Sequence, residues 1–258
     1  MDVYYSTAKL ILRIYQAMLS QHSHVSGELP LCPGAKIIAA NHPNATDGFF
    51  LPFMFQEKLH FFIQGDIFSV PFIGWLLARC EQIPVWPARK KAALEQACEL
   101  LASGKTVVIF PEGKLNPDHQ PLHARSGAVR LSLMTGAAII PVGFYVPAQN
   151  VRNLIIQKKD RLGQGRWQTG GCCFIQIGCP WLPGQAMSKK IDETAVRELT
   201  ARLMESIEAL VHLATLECVT ENNLLLPAIS SNSLVRWVRQ NPSHYFLPSF
   251  PPFPPAFS

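Results

Sequence analysis

Lys36-Ile37-Ile38-Ala39-Ala40-Asn41-His42-Pro43-Asn44-Ala45-Thr46-Asp47 begins as an apolar run and breaks into a polar segment holding a histidine and an aspartate. The run at 36–40 reads as a β-strand, and Pro43 and Asn44 are good turn formers that end it. On either side of this segment the same alternation recurs. Further β-rich runs occupy 59–64, 83–86, 106–110, 139–146 and 172–177, and helical stretches at 49–56, 67–80, 90–101 and 126–135 lie between them. Strands alternating with helices require crossover connections, so the fold class is α/β: one domain with a largely parallel, twisted sheet flanked by helices. A longer amphipathic helix follows at 192–213, with Val196, Leu199, Leu203, Ile207, Leu210 and Val211 on one face.

Composition narrows the class of protein. The chain has 258 residues, 48% apolar and only 16% charged, a profile that excludes wholesale disorder. A mean hydropathy of +0.12 with so few charges indicates apolar surface facing lipid or a lipid ligand. The 23 basic and 18 acidic residues leave a net charge of +5, which favours anionic partners. Without the aromatic and glycine motifs of an RNA-binding sheet it does not indicate nucleic acid. Seven cysteines with no Cys-x-x-Cys pair suggest neither a disulfide framework nor a zinc knuckle, and they fit a reducing cytosol.

Three regions follow from the pattern. Residues 1–25 read as an amphipathic helix, interrupted by Lys9, Arg13 and Gln16 well short of the roughly 18 continuous apolar residues of a membrane span. It either lies in a membrane interface or packs on the core. Residues 26–220 form the main domain. Residues 221–258 read as an extended or disordered tail rich in proline and phenylalanine. A stretch carrying Arg152, Lys158, Lys159, Arg161 and Arg166 among Gly163, Gly165, Gly170 and Gly171 reads as a solvated basic loop, with contact to an anionic headgroup as the alternative.

Ligands of a parallel sheet gather beyond the carboxyl ends of its strands. Three polar clusters fall there: residues 41–47, then Pro87-Ala88-Arg89-Lys90-Lys91, then Pro111-Glu112-Gly113-Lys114. A histidine beside a carboxylate serves as a general base. On a regular helix five residues turn about 140° net, so His42 and Asp47 meet only if the segment between them is a loop or distorted turn. A metal site built from His42, Asp47, Asp118, His119 and His123 is the competing arrangement, although Pro117 and Pro121 make that second segment a loop.

Together these pieces resemble the glycerophospholipid acyltransferase family, the lysophosphatidic acid acyltransferases and their relatives. Asn41, His42 and Asp47 match its Asn-His-x-x-x-x-Asp motif, and Ile83, Pro84 and Val85 match the strand of its second. Phe110, Pro111, Glu112 and Gly113 open its third, and Ile140, Pro141 and Val142 match its fourth. The resemblance implies transfer of a fatty acyl group from acyl-CoA or acyl-carrier protein, as co-substrate, to a lysophospholipid hydroxyl, with no other cofactor and no metal. It implies His42 as base, Asp47 as its orienting carboxylate, backbone amides near Gly113 as oxyanion donors, and Asn41, Glu112 and Gly113 at the acceptor. The chain departs from the pattern where Pro87 and Lys114-Leu115-Asn116 replace the family's two phosphate-binding arginines, and Arg89, Lys114 and Arg125 are the candidates to substitute for them at the acceptor. Lysophosphatidic acid remains the expected acceptor, ahead of another lysophospholipid, an amino-lipid or a glycolipid; the classes set against it are a metal-dependent hydrolase and an inactive lipid-binding module. Peripheral attachment to the cytoplasmic face of a membrane is the expected location.

Overall fold

The computed structural model describes residues 2–27, 34–116, 124–158, 161–183 and 192–224. The chain divides into two compact units, Met1–Thr215 and Leu216–Ser258. Every described strand lies in the first, and the described part of the second is the end of the last helix, which runs to Leu224. The N-terminal helix therefore belongs to the main unit, and the boundary expected at 221 falls at Leu216.

The helices are α1 (Val3–Met18), α2 (Leu51–Met54), α3 (Ile73–Arg79), α4 (Lys90–Ala102), α5 (Gly127–Thr135) and α6 (Glu193–Leu224). The strands are β1 (Gln21–Ser26), β2 (Lys36–Ala40), β3 (Leu59–Gln64), β4 (Ile83–Val85), β5 (Thr106–Ile109), β6 (Ala138–Tyr145), β7 (Val151–Lys158), β8 (Arg161–Gln168) and β9 (Gly171–Ile177). Seven strands form one sheet in the order β1-β9-β6-β2-β5-β3-β4, and β7 and β8 form a separate antiparallel pair. The five neighbours from β6 to β4 run parallel, and β9 closes antiparallel on β6 with β1 parallel beside it. The α/β class with a mostly parallel sheet holds.

β2 sits at the centre with every residue buried. Its side chains alternate between two cores, as the pleat requires. Ile37 and Ala39 join Val107, Ile139, Leu131 and Leu203 on one face, while Ile38 and Ala40 join Val108, Ile140, Phe50 and Leu51 on the other. A charge begins the strand, and the ion pair of Lys36 Nζ with Glu57 Oε1 at 2.6 Å makes its burial tolerable. Truncating Ile38 to alanine would cost about 2–5 kcal/mol, since it would open a cavity in a fully buried apolar cluster.

Several elements differ from the sequence reading. The helix at 49–56 is a 3-10 turn (Asp47–Phe49) followed by the single turn of α2, and the one at 67–80 is divided into a 3-10 segment (Gly65–Ser69) and α3. Pro52 and Pro71 account for both interruptions. β1 escaped because Gln-His-Ser-His is an edge strand with only partial burial. The glycine-punctuated stretch is not a loop: β7 and β8 pair over eight residues each, from Val151 against Gln168 to Lys158 against Arg161. The tail expected from residue 221 begins inside α6, and 225–258 lie outside the described residues.

Candidate active site at the exit of β2

Because β2, β5 and β4 are parallel, the three polar clusters emerge on one rim. They are not equidistant. β5 borders β2 directly, whereas β4 lies three strand spacings away, about 14 Å.

Asn41 is the first residue past β2 and is 2% exposed. Its Nδ2 donates to the Phe144 carbonyl at 2.9 Å, and the Phe144 N–H donates to its Oδ1 at 2.7 Å. Expected at the acceptor, Asn41 instead braces the strand exit against β6, and its amide is occupied in doing so.

His42 follows, partly exposed, with Nδ1 3.3 Å from Asp47 Oδ2. The segment between them is a turn, so the two meet as the chemistry needs. Asp47 has no exposed surface, and the Asn44 N–H donates to its Oδ2 at 2.7 Å while Asn44 Nδ2 lies 3.3 Å from Oδ1. Burial pushes the Asp47 carboxyl above its ordinary range, and His42 and Asn44 oppose that shift. The imidazole lies flat against Phe110, with ring centroids 4.0 Å apart and planes at 16°.

Four backbone contacts hold the loop. The His42 N–H donates to Glu112 Oε2 at 3.2 Å, and the Asn116 N–H donates to the His42 carbonyl at 2.8 Å. The Ala45 N–H donates to the Arg166 carbonyl at 2.8 Å, and the Gln168 N–H lies 3.4 Å from Thr46 Oγ1. Glu112 is therefore buried beneath the loop and not presented to an acceptor. Desolvation raises its pKa, opposed by His42 and Asn116. Thr46, Gln168 and the backbone of Arg166 were missed by sequence reasoning because β8 was read as solvated loop. The available signal was two runs of eight residues joined by Lys159-Asp160, a length that suits a hairpin but without the Asn-Gly chemistry that announces one.

Gly113 has φ of +66°, and a Cβ there would lie 2.2 Å from Arg125 Nε. The Arg125 side chain thus crosses directly over Gly113, and the Arg125 backbone N–H donates to the Pro111 carbonyl at 2.7 Å. The Gly113 N–H donates to the Phe110 carbonyl at 2.9 Å. That amide, expected as an oxyanion donor, is engaged in its own turn. Lys114 and Arg125 are exposed beside the dyad; Arg89 is exposed too, but at the sheet edge after β4. Among the described residues no group of three His, Cys, Asp or Glu side chains is placed to hold a metal ion; Asp118, His119 and His123 lie outside them.

Fold and rim together define an α/β protein with a buried carboxylate, a histidine oriented by it, and cations one strand away. Residues 22–145 match the family model described as Acyltransferase, and through this segment the chain is similar to the glycerophospholipid acyltransferases. A 1-acyl-sn-glycerol-3-phosphate acyltransferase of Pseudomonas aeruginosa is 32% identical over 110 residues, covering 41% of this chain and 42% of the relative. The protein of the same name from Saccharomyces cerevisiae is 24% identical over 195 residues, 73% of this chain and 61% of the relative. The chain thus spans less than half the length of the first and under two thirds of the second. The crystal structure of the 1-acyl-sn-glycerophosphate (LPA) acyltransferase PlsC from Thermotoga maritima shares the fold, with a TM-score of 0.54 at 22% identity over 80% of this chain and 81% of that one.

Proposed function

We propose that the protein transfers a fatty acyl group from an acyl thioester to the free hydroxyl of a lysophospholipid, with 1-acylglycerol phosphate as acceptor and phosphatidic acid as product. The observation that carries this reading is the pair of His42 Nδ1 and the wholly buried Asp47 at the exit of the central strand. With Nδ1 facing Asp47, Nε2 is the nitrogen left for chemistry. It takes the proton of the acceptor hydroxyl as that oxygen attacks the thioester carbonyl carbon. Collapse of the tetrahedral adduct breaks the carbon–sulfur bond, and the imidazolium returns its proton to the thiolate of CoA or acyl-carrier protein. Asp47 stabilises the imidazolium between the two transfers, and its burial strengthens that attraction. No acyl-enzyme forms. Arg125 and Lys114 follow β5, the strand beside β2, and take the acceptor phosphate; the names of the relatives support a phosphorylated acceptor.

The test is a transfer assay over a panel of lyso-lipids, with acyl-CoA and acyl-carrier protein as donors. The parent should acylate lysophosphatidic acid, and His42→Ala, folded by circular dichroism, should lose at least about a hundredfold in kcat, as general-base removal does. A folded His42→Ala that turns over like the parent would overturn the mechanism.

A further inference from the structure

The carboxylate of Asp47 is aimed by one β-turn, and both central residues of that turn are gripped from outside the main sheet. Asn44, Ala45, Thr46 and Asp47 make the turn, closed by the Asp47 N–H donating to the Asn44 carbonyl at 3.3 Å. Thr46 has φ of −95° and ψ of −4°, the dihedrals of the third residue of a type I turn. Closing the turn brings the N–H and Nδ2 of Asn44 onto the Asp47 carboxylate, so the conformation of Ala45 and Thr46 sets where that carboxylate points. His42 Nδ1 is oriented by the same oxygen that accepts the Asn44 N–H.

Thr46 has no exposed surface and stands at the N-cap position of the 3-10 turn Asp47–Phe49. A threonine hydroxyl there ordinarily accepts an amide of the turn it precedes. This one makes no such bond. The Thr46 carbonyl is taken by the Phe49 N–H at 2.9 Å, which leaves the hydroxyl as the acceptor for β8, and the Gln168 N–H meets it at 3.4 Å. The Ala45 N–H donates to the Arg166 carbonyl at 2.8 Å. In a parallel ladder the residues on either side of Trp167 would bond the N–H and the C=O of one facing residue. Here the Thr46 hydroxyl takes the place of the Ala45 carbonyl. Trp167, between the two bonds, meets the Phe49 ring at 6.4 Å, so β8 covers the turn from Ala45 to Phe49.

The end of β8 is also fixed from the side away from the turn. Gln168 has no exposed surface, and its Nε2 donates to the carbonyls of Gly170 and Gly171 at 3.2 Å and 2.9 Å. Its own carbonyl accepts Gln21 Nε2 from β1, and the Thr169 N–H donates to the Asn150 carbonyl at 2.8 Å. None of these four bonds involves the turn. A continuous line of contacts therefore runs from β1 through Gln168 and Thr46 to Asp47 and His42.

We infer that Thr46 is a positioning residue for the His42–Asp47 dyad: its hydroxyl ties the turn that aims Asp47 to the anchored end of β8, which makes the β7–β8 pair a working part of the site. The inference rests on the acyltransferase reading and adds to it a residue that acts through Asp47 and not on a substrate. Displacements well under an ångström at a dyad are enough to slow proton transfer, so a bond that contributes modestly to stability contributes more to turnover.

The test uses the full chain with lysophosphatidic acid and acyl-CoA. Thr46→Val keeps the shape, removes the acceptor and leaves the Gln168 N–H buried without a partner, and it should lower kcat roughly tenfold with KM for both substrates little changed. Thr46→Ser restores the hydroxyl and should recover most of the loss. Gln168→Met loosens the anchor from the other side and should also lower kcat, and the double variant Thr46→Val/Gln168→Met should be little worse than Thr46→Val alone, since both changes break one tie. A proton resonance far downfield that His42→Ala removes reports the Nδ1–H between His42 and Asp47 without substrate. It should shift or weaken in Thr46→Val and Gln168→Met and stay in place in Thr46→Ser. A folded Thr46→Val with parental kcat and an unmoved resonance overturns the inference, as does a Thr46→Ser as impaired as Thr46→Val, or a loss confined to KM. Should Thr46→Val not fold, Gln168→Met decides by the same two readouts. The resonance requires no turnover, so a protein in which these changes displace it but which acylates no lyso-lipid would refute the function and leave the positioning role standing.

Discussion

The imidazole of His42 lies flat on Phe110, 4.0 Å between centroids, while its Nδ1 faces Asp47. The two contacts restrain the ring about different axes. The carboxylate sets its rotation in plane and the phenyl face sets its tilt, so Nε2 is aimed before an acceptor arrives. A cation forming on the imidazole also meets the negative face of the phenyl ring, an interaction of about 0.5–2 kcal/mol. Phe110→Leu keeps the apolar volume and removes the ring. It should lower kcat roughly three- to tenfold with KM little changed, and Phe110→Tyr should restore most of the loss. A rise in KM with normal kcat would show that Phe110 lines the substrate instead.

Gly113 is required twice at one position, by its backbone and by its neighbour. Its φ of +66° disfavours any side chain, and the Arg125 side chain occupies the space a Cβ needs. Gly113→Ala should therefore destabilise by about 1–3 kcal/mol, a few degrees in Tm for a chain of this size, and should raise KM for a phosphorylated acceptor by displacing Arg125. Thermal unfolding beside steady-state kinetics separates the two effects. A variant with normal Tm and normal KM would contradict the packing described.

The opposite end of the sheet predicts how stability depends on pH. His60 is 1% exposed, its Nδ1 is 3.0 Å from the Thr106 carbonyl, and burial pushes its pKa below the ordinary 6.5. The unfolded chain takes up a proton near 6.5 that the folded chain resists, so stability is full above that pH and declines as pH falls through it. Glu81 is held at about 2 by Lys58 and Lys105, so its contribution is present above 4.5 and is lost between 4.5 and about 2. Glu81 is half exposed, and solvent screening keeps this second step small. Unfolding temperature measured against pH should fall in two stages, and His60→Gln should remove the upper one.

The parallel core was legible because β2, β5 and β6 carry nearly continuous apolar runs, the pattern of strands buried on both faces. The dyad was legible because a turn-forming Pro43-Asn44 segment between His42 and Asp47 lets two residues meet that a helix would hold apart. β1 and the β7–β8 hairpin were not, since their pairing comes from tertiary partners: β1 leans on β9, and β8 is positioned by Ala45 and Thr46. Nor does sequence order reveal distance along the rim. Residues 87–91 and 111–114 both follow strands, but only strand order shows that one group borders His42 and the other does not.

That distinction supplies the last prediction. Arg89, Lys114 and Arg125 were equivalent as replacements for the two absent arginines, and the fold makes them unequal. Arg125 crosses Gly113, one strand from the dyad, with its backbone tied to Pro111. Lys114 is the next residue after Gly113 and is exposed. Arg89 stands at the edge, about 14 Å along the rim, farther than one glycerol phosphate extends from its reacting hydroxyl. A charge-assisted contact to phosphate is worth about 1.5–3 kcal/mol, so losing it costs roughly tenfold or more in kcat/KM. Arg125→Ala should show that loss with lysophosphatidic acid, chiefly in KM, and Lys114→Ala a smaller one because an ammonium lacks the bidentate fork. Arg89→Ala should match the parent. Uncharged acceptors, if used at all, should be indifferent to all three changes. An Arg89 variant as impaired as Arg125→Ala would mean that the acceptor lies along the rim toward β4, and an Arg125 variant as active as the parent would remove the phosphate from Gly113 while leaving the roles of His42 and Asp47 to their own test.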